Sequence, residues 1–131
     1  IPGGKIKMGP LWDFDLAFGN VNYADSQFPE GFWVKDHKWY ARLFQDPVFV
    51  AKVKYRFLYF KNNQNVILNK MDYYANYLKY AQKENDDRWD VIGNYAWPNP
   101  VVYNTYEEEV AHLKNWYIKR MNWLDTAFKG L

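Results

Sequence analysis

Apolar side chains recur at helical spacing along most of the chain after Asp46, and this pattern is the strongest constraint on the fold. The three apolar stripes are Phe49, Val53, Phe57 and Phe60; Ile67, Met71, Tyr74, Leu78 and Ala81; and Val110, Leu113, Tyr117, Met121, Leu124 and Phe128. Each stripe would place one face of a helix against a common core. We therefore predict long helices at about 47–61, 66–85 and 105–128, after a short helix at about 37–45.

The residues that flank these stripes are typical of helix ends. Asp46 precedes Pro47, which is the order of an N-cap residue and a proline at the first helical position. Thr105 is followed three residues later by Glu108, the pattern of a capping box. Gly130 comes directly after the last stripe and indicates the end of the final helix.

The start of the chain has a different pattern, with loops and short alternating segments. Gly3-Gly4 is typical of a tight turn, and Lys5–Met8 alternates polar and apolar residues at the period of a half-buried strand. Trp12–Leu16 alternates again, with its apolar residues on one side and Asp13 and Asp15 on the other. We therefore predict a short β-hairpin followed by three to four helices, a mainly α chain of the α+β class.

Length and composition agree with one folded domain. The chain has 131 residues, of which 49% are hydrophobic, so it can form a core. We predict one domain over residues 1–131, with the hairpin and a loop in 1–34 and the helices in 35–131. The absence of cysteine excludes disulfides, thiolate metal ligands and cysteine nucleophiles. A net charge of +2 gives no reason to expect nucleic-acid binding, and the short apolar runs give none to expect membrane insertion.

Asp13 and Asp15 form the candidate site. Residues two apart on a strand share a face, with Cβ atoms roughly 7 Å apart. Two such carboxylates repel each other unless a cation lies between them, and Mg²⁺ binds carboxylates together with substrate phosphates. Trp12, Phe14 and Phe18 would pack the strand on a core and fix both acids. The alternative is that the two aspartates form only the wet face of an amphipathic strand.

Other polar features have ordinary explanations. Arg88 would pair with an aspartate or a phosphate, or else lock a helix end to the next loop together with Trp89. His37 and His112 are not at the spacing of metal ligands. Basic residues alternate with aromatics in 52–61, but on a helix they spread around the solvated side and do not form a nucleic-acid surface.

The segment GPLWDFDLAFGN, residues 9–20, resembles the Trp-Asp-Phe-Asp segment of the CotH kinase (spore coat protein H-like) family. The segments NDDRWDVIGNYAWPN and EEEVAHLKNWYIKRMNWLD are also similar to that family, so the resemblance covers essentially the whole chain. It implies the helical C-lobe of an atypical protein-kinase-like fold, the cofactors ATP and Mg²⁺, and a Ser-rich protein substrate. Asp13 matches the family's metal-binding residue and is the predicted catalytic residue, with Asp15 as a second metal ligand by position.

A kinase needs further parts that this chain lacks. These are a lysine for the α- and β-phosphates, a loop over the phosphates, and a loop with a catalytic Asp and an Asn. In the family they precede the Trp-Asp-Phe-Asp segment, where this chain has only Ile1–Leu11. Lys5 and Lys7 are poor substitutes for the nucleotide lysine. We interpret the chain as the C-terminal part of a CotH-like kinase domain and expect it to transfer no phosphate by itself.

The resemblance also implies a bacterial protein that is secreted or on the cell surface, and it leaves two other functions open. A non-catalytic surface or adhesion module would suit exposed aromatic side chains. Exposure of Trp33, Trp39, Trp89 and Trp97 in one patch would favour binding, whereas buried aromatics and Asp13 in a cleft would favour the kinase. The third possibility is a structural scaffold whose aspartate pair is vestigial.

Overall fold

The fold is helical throughout the part of the chain that can be described. The computed structural model describes residues 3–4 and 9–131. Within them the helices are α1 (Phe14–Ala17), α2 (Lys38–Leu43), α3 (Pro47–Asn62), α4 (Gln64–Tyr77), α5 (Lys79–Trp89) and α6 (Tyr106–Lys129). Neither a strand nor a sheet occurs in these described residues.

The predicted β-hairpin, and with it the α+β class, is wrong. Where the sequence predicts the strand Trp12–Leu16, Asp13 has a left-handed backbone (φ 53°) and the next four residues form the single turn α1. The N–H of Ala17 donates to the carbonyl of Asp13 at 3.1 Å. Such local bonds satisfy the backbone without a partner strand, so a short alternating pattern does not enforce pairing. The other predicted strand, Lys5–Met8, lies outside the described residues.

The caps that begin α3 and α6 are confirmed. The Asp46 carboxylate accepts from the N–H of Val48 at 2.8 Å, and Pro47 is the first helical residue. The hydroxyl of Thr105 accepts from the N–H of Glu108 at 3.2 Å, and the Glu108 carboxylate accepts from the N–H of Thr105 at 3.1 Å. Because these caps satisfy N–H groups with no partner inside the helix, both helices begin where the sequence predicts.

The helix predicted over 66–85 is two helices that continue further along the chain. α4 and α5 meet at Leu78, and α5 ends at Trp89. The sequence predicts that this helix ends at about residue 85, but the next residue, Asp86, lies inside α5. Its Oδ1 atom accepts from the N–H groups of Val91 and Ile92 at 2.9 and 2.7 Å. This carboxylate therefore stabilises the chain that leaves the helix without ending the helix itself.

The core lies where α3, α4 and α6 meet. Its buried members are Phe57 of α3 and Tyr117 and Met121 of α6. Side chains that pack against them are Phe18, Ile67, Leu68, Met71, Leu124 and Phe128, most of which belong to the predicted stripes. Phe60 of the first stripe is nevertheless 48% exposed, so the prediction is wrong for the last position of that stripe.

The longest helix, α6, also supports the chain segment that follows α1. The side chain of Trp116 is buried, and Gly19 of this segment lies against its indole ring. Gly19 has φ +86°, and a Cβ atom there would lie 2.2 Å from Nε1 of Trp116. The missing side chain thus permits both the backbone turn and the close approach of the indole.

We expect Gly19→Ala to lower the free energy of unfolding by roughly 2–4 kcal/mol, because Ala is strained at positive φ and its methyl group would displace Trp116. Chemical denaturation followed by tryptophan fluorescence measures this change. Gly9→Ala is the matched control, since a Cβ atom at Gly9 meets nothing within 4 Å. Equal stability of the two variants would contradict the proposed role of this contact.

No helix in the described part of the chain has the length and apolar character needed to cross a membrane.

Candidate functional site

Asp13 precedes α1 and keeps its carboxylate free of the helix. Its backbone is left-handed (φ 53°, ψ 45°), and its side chain makes no capping hydrogen bond to α1. Asp13 is exposed, and none of the ion pairs among the described residues includes it. The carboxylate is therefore available for a ligand from solution.

Asp13 lines a cavity of about 650 Å³, which we call the Asp13 cavity. Its walls are largely apolar and come from α1, α2, α3, α6 and the segment between α1 and α2; they include Phe32, Trp33, Tyr40, Phe44, Phe49 and Trp116. Lys35 and Arg120 are the cations in its lining, and Asp13 is the carboxylate. An apolar enclosure of this kind strengthens the interactions of the few charges it contains.

Asp15 lines a different cavity, of about 530 Å³, with Glu109 and His112. Residues two apart on a helical turn do not face each other, so α1 directs the two aspartates to separate cavities. The predicted shared face of Asp13 and Asp15 required a strand, and this segment forms the helical turn α1 instead. The described residues also contain no cluster of three or more His, Cys, Asp or Glu that could hold a metal ion.

A single Mg²⁺ ligand is nevertheless compatible with the position of Asp13. Magnesium keeps several water ligands and is held in proteins by one or two carboxylates together with substrate phosphates. An exposed carboxylate that has no ion-pair partner among the described residues, at a cavity that also contains two cations, fits this role. The metal roles of Asp13 and Asp15 stay predictions.

Two side chains of α6 fix the segment that forms one wall of the Asp13 cavity. The indole N–H of Trp116 donates to the carbonyl of Gln27 at 2.7 Å. Arg120 donates to the carbonyls of Pro29 and Gly31 at 2.8 and 2.7 Å. Because Trp116 and Arg120 are four residues apart, they lie on the same face of α6 and hold consecutive parts of the segment.

Burial changes the electrostatics of Arg120. Desolvation lowers the pKa of its guanidinium below the ordinary value, and nearby Glu30 partly offsets this effect. No carboxylate of the described chain lies within ion-pair distance of Arg120. A partly desolvated cation that donates its hydrogen bonds to neutral carbonyls would gain from a nearby anion.

Sequence reasoning missed Lys35, Arg120 and Ser26 as residues of the Asp13 cavity. One signal in the sequence indicates that Trp116 and Arg120 act together. They are four residues apart beside the apolar stripe of the last helix, so they share one face of it. No local pattern indicates which segment that face would contact. His112, expected to be an ordinary histidine, is 3.1 Å from the Tyr103 hydroxyl and lines the cavity of Asp15.

The tryptophans proposed as a binding surface are all exposed, from 45% for Trp33 to 81% for Trp39. Trp97 stacks on Tyr23 with ring centroids 6.1 Å apart. The Arg88 guanidinium is 4.8 Å from the ring of its neighbour Trp89. The four tryptophans are thus exposed, as the binding module requires, but their grouping in one patch stays a prediction, and Asp13 lines a cavity, as the kinase requires.

The chain belongs to the CotH kinase protein family. The family model described as CotH kinase protein matches residues 2–124 of the 131, which confirms the resemblance seen in the sequence. The matched range includes Asp13 and nearly all of the α6 residues that support its cavity. The comparisons with curated proteins and with solved structures gave no match.

We expect Arg120→Met to lower the free energy of unfolding by roughly 1–3 kcal/mol, because two carbonyls lose a charged donor while the apolar stem is kept. Amide hydrogen exchange should also become faster in residues 20–36, and mass spectrometry of peptides measures it. Lys119→Met is the control: its side chain is exposed, and the same change one position earlier should leave exchange unaltered. Unchanged exchange in Arg120→Met would exclude the anchoring role.

Proposed function

We propose that the chain forms the C-terminal, metal-binding part of an atypical kinase that phosphorylates Ser residues of a protein substrate. One observation carries this proposal. Asp13, which matches the family's metal-binding residue, is exposed, lines a cavity of about 650 Å³ and has no ion-pair partner among the described residues. The family membership of the chain supports the same function.

Asp13 would hold a Mg²⁺ ion that also binds the phosphates of ATP. When bound, the metal neutralises the charge that develops on the phosphates during transfer. Asp15 lines the other cavity, which supports a second ion for this residue and not a shared one. Lys35 and Arg120 add positive potential to the Asp13 cavity and so favour the approach of a polyphosphate.

The apolar walls of the cavity would exclude water from the reacting groups. Phe32 packs against Trp123 and Phe128 of α6, with ring centroids 4.9 and 5.2 Å apart. Phe44 packs edge-on against Phe49 at 5.3 Å and so joins α2 to α3. These contacts support an apolar wall, beside which the attraction between cations and phosphate would be stronger than in open solvent.

A Ser-rich protein is the proposed acceptor, and the cell surface or the exterior of a bacterium is the proposed location. Both proposals follow from family membership. They are independent of the metal chemistry, because the Asp13 cavity would serve any protein that presents a Ser hydroxyl to ATP.

A non-catalytic binding module is the second candidate. The observation that favours it is the exposed pair of stacked rings of Tyr23 and Trp97, beside a hydrogen bond of 2.9 Å from the Asn22 amide to the Tyr95 hydroxyl. Exposed aromatic rings with fixed polar neighbours are typical contacts for a partner. This surface does not include Asp13, so substitution of Asp13 separates the two functions.

In the full-length gene product, we expect Asp13→Asn to abolish transfer from Mg²⁺-ATP to a Ser-rich acceptor such as dephosphorylated casein. Asparagine tolerates the left-handed backbone of Asp13 but lacks the charge that a metal needs. Radiolabel incorporation with γ-labelled ATP measures the loss. Asp25→Asn is the matched control, because Asp25 is also exposed and left-handed (φ 55°) but does not line the cavity.

Retention of wild-type transfer by Asp13→Asn would refute the proposed metal role. An equal loss in both variants would point to the backbone turn and not to the carboxylate. Circular dichroism of the two proteins should be the same, since each substitution keeps the side-chain shape.

A further inference from the structure

Ser26 is the only serine of the chain, and it lines the Asp13 cavity. Its side chain is half-buried, and its hydroxyl donates only a long hydrogen bond of 3.4 Å, to the carbonyl of Ala24. A bond of this length is weak, so this contact does little to hold the hydroxyl group in one direction. The cavity that contains the proposed catalytic carboxylate therefore also contains an acceptor for a phosphoryl group.

The backbone around Ser26 holds it in a defined place. Ala24 and Asp25 before it are both left-handed, with φ 55°, and the N–H of Ser26 donates to the carbonyl of Tyr23 at 3.3 Å. Directly after Ser26, the carbonyl of Gln27 accepts from the buried indole of α6. A tight turn on one side and an anchor on the other fix the direction of Ser26 into the cavity.

The same cavity provides cations for a phosphate at this position. Arg120 donates to two backbone carbonyls and has no carboxylate within ion-pair distance in the described chain. Lys35 is paired only with Asp36, whose side chain is 83% exposed, and such a surface pair is weak. A phosphoserine carries nearly two negative charges and forms charge-assisted bonds with cations of this kind.

We propose that Ser26 is a site of intramolecular autophosphorylation. This inference rests on the proposed function, since it requires Mg²⁺-ATP at Asp13. The oxygen of Ser26 forms a bond to the γ-phosphorus, the bond from that phosphorus to the β–γ bridging oxygen breaks, and ADP leaves. The hydroxyl proton passes to water. The new phosphate stays in the Asp13 cavity, where Lys35 and Arg120 bind it.

The experiment uses the full-length gene product with γ-labelled ATP and Mg²⁺, and with dephosphorylated casein in the same reaction. Trypsin should release Met8–Lys35 as one peptide, because this range contains no internal Lys or Arg, and Ser26 is its only Ser or Thr. Fragmentation of this peptide separates a phosphate on Ser26 from one on Tyr23. We expect one phosphate on Ser26, at a rate that does not depend on protein concentration.

Variants test whether the radioactive phosphate is on the hydroxyl group of Ser26. Ser26→Ala should remove all label from Met8–Lys35, whereas Ser26→Thr should keep it, and casein in the same reaction reports transfer to a second acceptor. Thr126→Ala, which removes a hydroxyl on α6 that does not line the cavity, should change neither. Asp13→Asn should remove both signals.

Two results would overturn the inference and leave the proposed function intact. The first is labelled casein with no phosphate on Ser26, including the case in which the label is on Tyr23. The second is labelling of Ser26 whose rate rises with protein concentration, which would mean transfer between molecules. If neither casein nor Ser26 is labelled by the wild-type protein, the proposed kinase function itself fails, and the inference fails with it.

Discussion

The structure depends on the hydrogen bonds by which α6 holds the segment between α1 and α2. Trp116 and Arg120 together donate to three backbone carbonyls, at 2.7–2.8 Å, from Gln27, Pro29 and Gly31. The ring of Phe32 in the same segment also packs against Trp123 and Phe128 of α6, at 4.9 and 5.2 Å. The segment between α1 and α2 is rich in turns, and α6 determines its path through these bonds. The segment can therefore form one wall of the Asp13 cavity.

Local signals in the sequence predicted local structure well. Asp46 with Pro47, and Thr105 with Glu108, begin helices because each cap is made within a few residues of its helix. The same reasoning was wrong at Trp12–Leu16, where alternation over five residues is compatible with one helical turn after a left-handed Asp. A short pattern does not reveal whether a partner strand exists.

The candidate site could be predicted only in part. The motif predicts Asp13 as a site residue. It does not predict that Asp13 and Asp15 line different cavities, because this depends on the helical turn α1, which the alternating pattern does not indicate. Arg120 contacts Pro29 from 91 positions away along the chain, and Trp116 contacts Gln27 from 89. Tertiary contacts of this range determine the cavity, and no periodicity encodes them.

The central claim is that the Asp13 carboxylate binds a metal ion on ATP, and paramagnetic NMR tests it most directly. Mn²⁺ would replace Mg²⁺ in the full-length gene product labelled with ¹³C at the Asp carboxylates. We predict that Mn²⁺-ATP broadens the Asp13 resonance beyond detection while the resonance of Asp87, on α5 and outside the cavity lining, stays sharp. An Asp13 resonance that is still sharp at saturating Mn²⁺-ATP would contradict the account.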